Sequence, residues 1–193
     1  MCTTAEGCNG SINCMNAFAI IKEFEKKIGE LGLSYQRYPD NSYLLRHIID
    51  AGLTIKVRLI SSDQEDESKH GSRNGNIIQS IGVFKFSLLS TENEADFYIL
   101  GFGSTTYQGI NFVIIPTEEL KRRFIKKNRN STAKQKISIV FWLMDYRFLY
   151  DCSGVGVEWE WYYLSRGLNG RMVDDSEWNY SEFLNDWDRL TMK

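Results

Sequence analysis

The residues of this chain best suited to chemistry gather in its first third. Asp40 follows Pro39, Asp50 opens the turn Asp50-Ala51-Gly52, Arg46, His47, Lys56 and Arg58 lie around them, and Glu25 stands upstream. Carboxylates that converge on Mg²⁺ activate a water and neutralise the charge growing on a phosphodiester, and a nearby lysine helps orient that water. Asp40, Asp50, Glu25 and Lys56 are therefore the candidate catalytic residues, with Asp40 and Asp50 as candidate metal ligands. Arg46, His47, Lys56 and Arg58 could instead hold a phosphate backbone with no metal. If Leu53 to Ile60 is a strand, Lys56 and Arg58 share one face and Ile55, Val57 and Leu59 the other. That alternation equally describes a half-buried strand with a solvated face.

A second cationic group comprises Lys121, Arg122, Arg123, Lys126, Lys127, Arg129, Lys134 and Lys136, all within a stretch of sixteen residues that contains no acid. In a chain of net charge −2 this local asymmetry suits salt-sensitive contacts to DNA phosphates, or a solvated helix and linker. Trp159, Trp161, Tyr162 and Tyr163 could stack on bases, but alternation with Val155 and Val157 favours a buried strand face. Cys2, Cys8 and Cys14 are spaced more widely than zinc knuckles, and the two histidines, His47 and His70, stand apart from them. No G-x-S-x-G elbow or phosphate-binding glycine loop occurs.

The elements that must position these residues follow from periodicity. At 193 residues one domain is expected, with residues 1–12 as a flexible tail and 13–193 as the folded unit. The chain lacks an apolar run of about 20 residues and a signal-like start, so a cytoplasmic protein away from membranes is expected. Ala17, Ile20, Ile21, Phe24, Ile28 and Leu31 predict an amphipathic helix ended by Gly32. Strands are predicted near 33–38, 43–49 and 53–60, then 81–89, 96–102 and 111–115, and again at 136–144. A long polar loop separates 60 from 81, Pro116 ends a strand, and Thr117 opens a helix with Glu118 and Glu119 in its first turn. A last helix is expected from Ser181, with Phe183, Leu184, Trp187 and Leu190 on one side.

This order of helix, three-strand meander, long loop, further strands and Pro-initiated helix resembles the PD-(D/E)XK nuclease-like superfamily. The segments Phe84-Lys85-Phe86-Ser87, Ala95-Asp96-Phe97-Tyr98-Ile99-Leu100 and Phe112 to Leu120 are similar to its later strands and following helix, and Trp187 to its closing helix. The resemblance implies an α/β, restriction-endonuclease-like core with a central mixed β-sheet flanked by helices. It also implies a nucleic-acid-associated role with DNA as partner, a possible homodimer, and Mg²⁺ if the protein is an active endodeoxyribonuclease. In the family an acid on one strand faces an acid-x-lysine or glutamine-x-lysine element on the next. Here Thr54 takes the acid position if Lys56 is the family lysine, and Lys56 takes it if Arg58 is. Both registers put a neutral or positive residue where the metal needs an acid, which points to a catalytically degenerate nuclease-like protein. An active nuclease with migrated acids and a non-catalytic interaction or dimerisation module are the alternatives.

Overall fold

The structure is a computed structural model and describes residues 11–48, 52, 54–62, 78–87, 95–104, 109–127, 136–144, 148–151 and 178–191. It is mixed α/β. Helix α1 (Ser11–Glu30) precedes strands β1 (Leu33–Arg37), β2 (Ser42–His47), β3 (Thr54–Ser61), β4 (Ile78–Ser87), β5 (Phe97–Ser104) and β6 (Gly109–Pro116). Helix α2 (Thr117–Lys127) and strands β7 (Lys136–Met144) and β8 (Phe148–Asp151) follow. The helix thus takes in Ser11 and Ile12, at the end of the expected tail. No helix among the described residues is long and apolar enough to cross a membrane.

The central sheet has five strands in the order β1-β2-β3-β5-β6. The meander β1-β2-β3 is antiparallel, β3 and β5 are parallel, and β6 returns antiparallel to β5. Parallel neighbours need a crossover. Here the path between them includes β4, which belongs to a second sheet of order β4-β7-β8.

Each face of the central sheet buries its own core, because β5 is apolar at every second position on both sides. Ile20, Phe24 and Ile28 of α1 recur at four-residue steps and pack against Tyr43, Leu45, Ile55, Val57, Leu59, Ile99, Phe112 and Ile114. The helix comes so close that a Cβ on Gly101 would lie 2.4 Å from Ile20 Cγ2, so glycine is what lets α1 sit on β5. On the opposite face Tyr98, Leu100, Phe102, Val113 and Ile115 meet Phe84, Ile139, Phe141 and Leu143 of the second sheet, with Leu120 of α2. The expectation of a sheet flanked by helices is thus corrected on this face, where a three-stranded sheet does most of the covering.

The predicted C-terminal helix is also corrected. Residues 181–190 form two separate 3₁₀ turns, Ser181–Phe183 and Trp187–Leu190. Between them Leu184 bridges Val113 on the β6 edge, and Asn185 turns left-handed at φ 53°. The reason is geometric. Phe183 enters the core under the second sheet, whereas Trp187 and Leu190 join the α1 core, so this segment wraps around the sheet edge and one straight helix cannot reach both faces.

Candidate nucleic-acid interface

Among the described residues, the second sheet packs on only part of the central sheet. Among the described residues none from β1 or β2, and only Ile60 from β3, packs into the core beneath it. In β3 the expected alternation is present: Ile55, Val57 and Leu59 are buried against α1, while Thr54 and Lys56 are exposed and Arg58 half-buried on the other side. The β2–β3 register sets Leu44 opposite Lys56, Arg46 opposite Thr54 and Ser42 opposite Arg58. Arg46, Lys56 and Arg58 therefore share one face, at neighbour spacings of about 7 Å. On β1, Ser34 and Gln36 lie opposite Arg46 and Leu44 and extend this polar surface to the sheet edge. His47 has the parity of Tyr43 and Leu45 and belongs to the α1 side, not with Arg46.

Arg58 is the most constrained of the three. Its Nη1 is shielded from water and has no hydrogen-bond partner among the described residues. A guanidinium N–H withdrawn from water without an acceptor is costly, and a phosphate oxygen could bond to it only once the side chain turns outward.

The candidate acids do not converge on one point, although Asp40 lies near Arg58. Asp40 sits in the β1–β2 turn, where its carboxylate accepts from Ser42 Oγ at 2.8 Å and from the Ser42 N–H at 3.2 Å. The Ser42 hydroxyl holds the Asp40 carboxyl below its usual range, and the nearby Arg58 charge acts in the same direction. Asp40 thus fastens the turn in the manner of an Asx motif, which the Asp40-Asn41-Ser42 spacing already signals. Glu25 projects from α1, accepting a 3.2 Å hydrogen bond from Tyr43 Oη and lying 3.5 Å from Arg37 Nη1. The sheet separates it from Lys56, because Tyr43 and Val57 share the face opposite to Lys56. Asp50 lies outside the described residues. Among those described, no three His, Cys, Asp or Glu side chains assemble to hold a metal.

Asp96 is the carboxylate that the hairpin reading passed over. Its Oδ2 accepts from the Lys56 backbone N–H at 2.7 Å, its own N–H donates to the Lys56 carbonyl, and its carbonyl accepts from Thr117. Thr117 Oγ1 also donates to the Ala95 carbonyl. Asp96 therefore ties the middle of β3 to the start of β5 and to the entry of α2. In the sequence it was marked only as part of the segment Ala95 to Leu100, an acid directly before an apolar run.

The basic helix differs from its sequence reading. Lys121 pairs with Glu118 at 3.1 Å, and both Nε and Nη2 of Arg122 lie 2.6 Å from Glu119. Arg123 is buried, donating to Glu119 and the Asn179 carbonyl at 2.6 Å and to Glu182 at 2.9 Å. Its guanidinium lies 4.7 Å from the Tyr180 ring centre and 4.8 Å from that of Phe183. Arg123 is thereby removed from the phosphate-contact set, because the acids one turn earlier and the C-terminal segment occupy its donors. Nothing is described of the Lys126 and Lys127 side chains, and Arg129, Lys134, Trp159 and Trp161 lie outside the described residues.

No family model, no curated protein and no solved structure matches the chain.

Proposed function

We propose that this is a nucleic-acid-binding protein with a nuclease-like fold, whose Arg46, Lys56 and Arg58 grip the phosphate backbone through charge. The observation that carries the reading is the shared face of three cations, with Arg46 and Lys56 exposed and Arg58 half-buried beside them. The nuclease-like part is supported by the element order, in which a meander, a parallel strand and a hairpin lead into α2 behind Pro116. Binding without a bridging metal fits a strand that carries Lys56 and Arg58 where the resemblance expects an acid and a lysine.

Phosphate contacts release counterions, so affinity falls with salt at a log–log slope of about −0.9 per contact on duplex DNA. Fluorescence titrations of duplex and single-stranded DNA at several salt concentrations are expected to show this dependence. Arg58→Ala, Lys56→Ala and Arg46→Ala should each weaken binding on all sequences and flatten the slope by about one. Affinity that ignores salt, or three variants that bind like the parent, would overturn the reading. Running the same substrates with Mg²⁺ or Mn²⁺ separates gripping from cutting, since cleavage lost in Lys56→Ala would establish the active-nuclease alternative.

A further inference from the structure

The chain treats the two edges of its five-stranded sheet differently. At the β6 edge Leu184 bridges Val113, the Asn185 N–H donates to the Phe112 carbonyl at 2.7 Å, and Asn185 Oδ1 accepts from the Phe112 N–H at 2.9 Å. That edge is covered. At the opposite edge β1 has β2 as its one ladder partner among the described residues.

The register identifies the backbone groups left over on β1. The Tyr38 N–H donates to the Ser42 carbonyl and the Ile48 N–H to the Gly32 carbonyl. Hydrogen-bonded and non-bonded pairs alternate along an antiparallel ladder, so Ser34 and Gln36 bond to β2 as well. The N–H and C=O groups of Leu33, Tyr35 and Arg37 therefore point outward. Such a row of unpaired groups is a template for another strand.

We infer that β1 is a self-association edge, on which β1 of a second copy pairs antiparallel about a two-fold axis through Tyr35 and joins the two central sheets into one. The outward groups at 33, 35 and 37 are symmetric about Tyr35, so a copy sets Tyr35 against Tyr35 and Leu33 against Arg37 with every donor facing an acceptor. Arg37, the only charge on the strand, then meets Leu33 and not another cation, and it is already held at 2.9 Å by Asn41 Oδ1. On the other face Ser34 meets Gln36, two groups able to hydrogen-bond. Tyr35 and Tyr38 keep 44% and 40% of their surfaces exposed, an aromatic area that a copy would cover. Two of the usual guards of a free edge are missing, since β1 contains no proline and pairs with β2 without a bulge. These features let a copy of the same strand pair with no like-charge contact and no unmatched donor. A two-fold axis normal to the sheet also keeps both copies' Arg46, Lys56 and Arg58 on one side.

Sedimentation of the full chain without nucleic acid, over about 1–100 µM, tests this independently of phosphate binding. The mass is expected to rise from 22.4 kDa toward twice that value. A mass fixed at 22.4 kDa across the range overturns the inference. Because residue 35 lies on the axis, Tyr35→Lys and Tyr35→Glu should each weaken association about tenfold or more alone and restore it when mixed. Failure of the mixture to associate, or unchanged association of either variant alone, places any dimer contact elsewhere and overturns the assignment. Tyr35→Pro, which removes the ring and an outward N–H but no N–H of the β1–β2 ladder, should be monomeric with that ladder intact, and its association at parental strength would count equally against the axis.

Discussion

A guanidinium only 1% exposed must place its donors inside the protein, and Arg123 does so on Glu119, Asn179 and Glu182 between two aromatic rings. Arg123→Ala would remove these bonds and leave a cavity against Tyr180, so we expect a loss of about 3 kcal/mol in denaturant unfolding. Arg123→Lys should recover little, because an ammonium lacks the planar fork that reaches three acceptors and stacks on rings. A loss below about 1 kcal/mol in Arg123→Ala would show that the network is not structural. The same contacts predict an acid sensitivity. Arg122 first, then Arg123, hold the Glu119 carboxyl down at about 2, against an ordinary value of 4.5. A depressed carboxyl stabilises the fold fully above its unfolded value and loses that contribution as pH falls through its folded one. Stability from Glu119 should therefore be present above about pH 4.5 and drain away toward pH 2. Glu119→Gln should be less stable at neutral pH and show a flatter decline over that window when melting is followed by circular dichroism.

At the scale of elements, periodicity was a good guide wherever one element buries one face. The three- and four-residue steps of Ala17, Ile20, Phe24, Ile28 and Leu31 mark α1, and the alternation in Thr54 to Leu59 marks β3 with its cations outward. Pro116 and the acids after Thr117 mark the entry of α2. The candidate site was legible to the same depth, because parity within a strand is local and puts Lys56 with Arg58. It was not legible where partners come from other elements. Which face α1 occupies is a tertiary fact, and it sets Glu25 against Tyr43 and away from Lys56. Lys121, Arg122 and Arg123 looked available because their acids precede them by three or four residues, a relation that counts only once the helix exists. Phe183, Trp187 and Leu190 have helical spacing yet divide between two cores, which no single-element pattern encodes.

The whole molecule is held by contacts between distant parts of the chain. The Asn185–Phe112 bond joins residues 73 apart and the Arg123–Glu182 pair residues 59 apart, while the central parallel pairing joins β3 to β5 across a strand of another sheet. Closing long loops costs entropy before any contact compensates for it, so distant pairings tend to form late in folding. The C-terminal segment that wraps the β6 edge then acts as a latch on a nearly finished structure. Contacts absent from the folding transition state govern how fast a protein opens far more than how fast it forms. Asn185→Ala, which loses both the left-handed preference and the bond to Phe112, should speed unfolding about tenfold in stopped-flow denaturant jumps and change refolding by less than about twofold. A mainly slowed refolding arm would instead place the latch in the folding nucleus. If unfolding alone is faster, the last dozen described residues set the lifetime of the native state, and a covalent tie from Leu184 to the β6 edge would lengthen it without altering the route by which the sheets assemble.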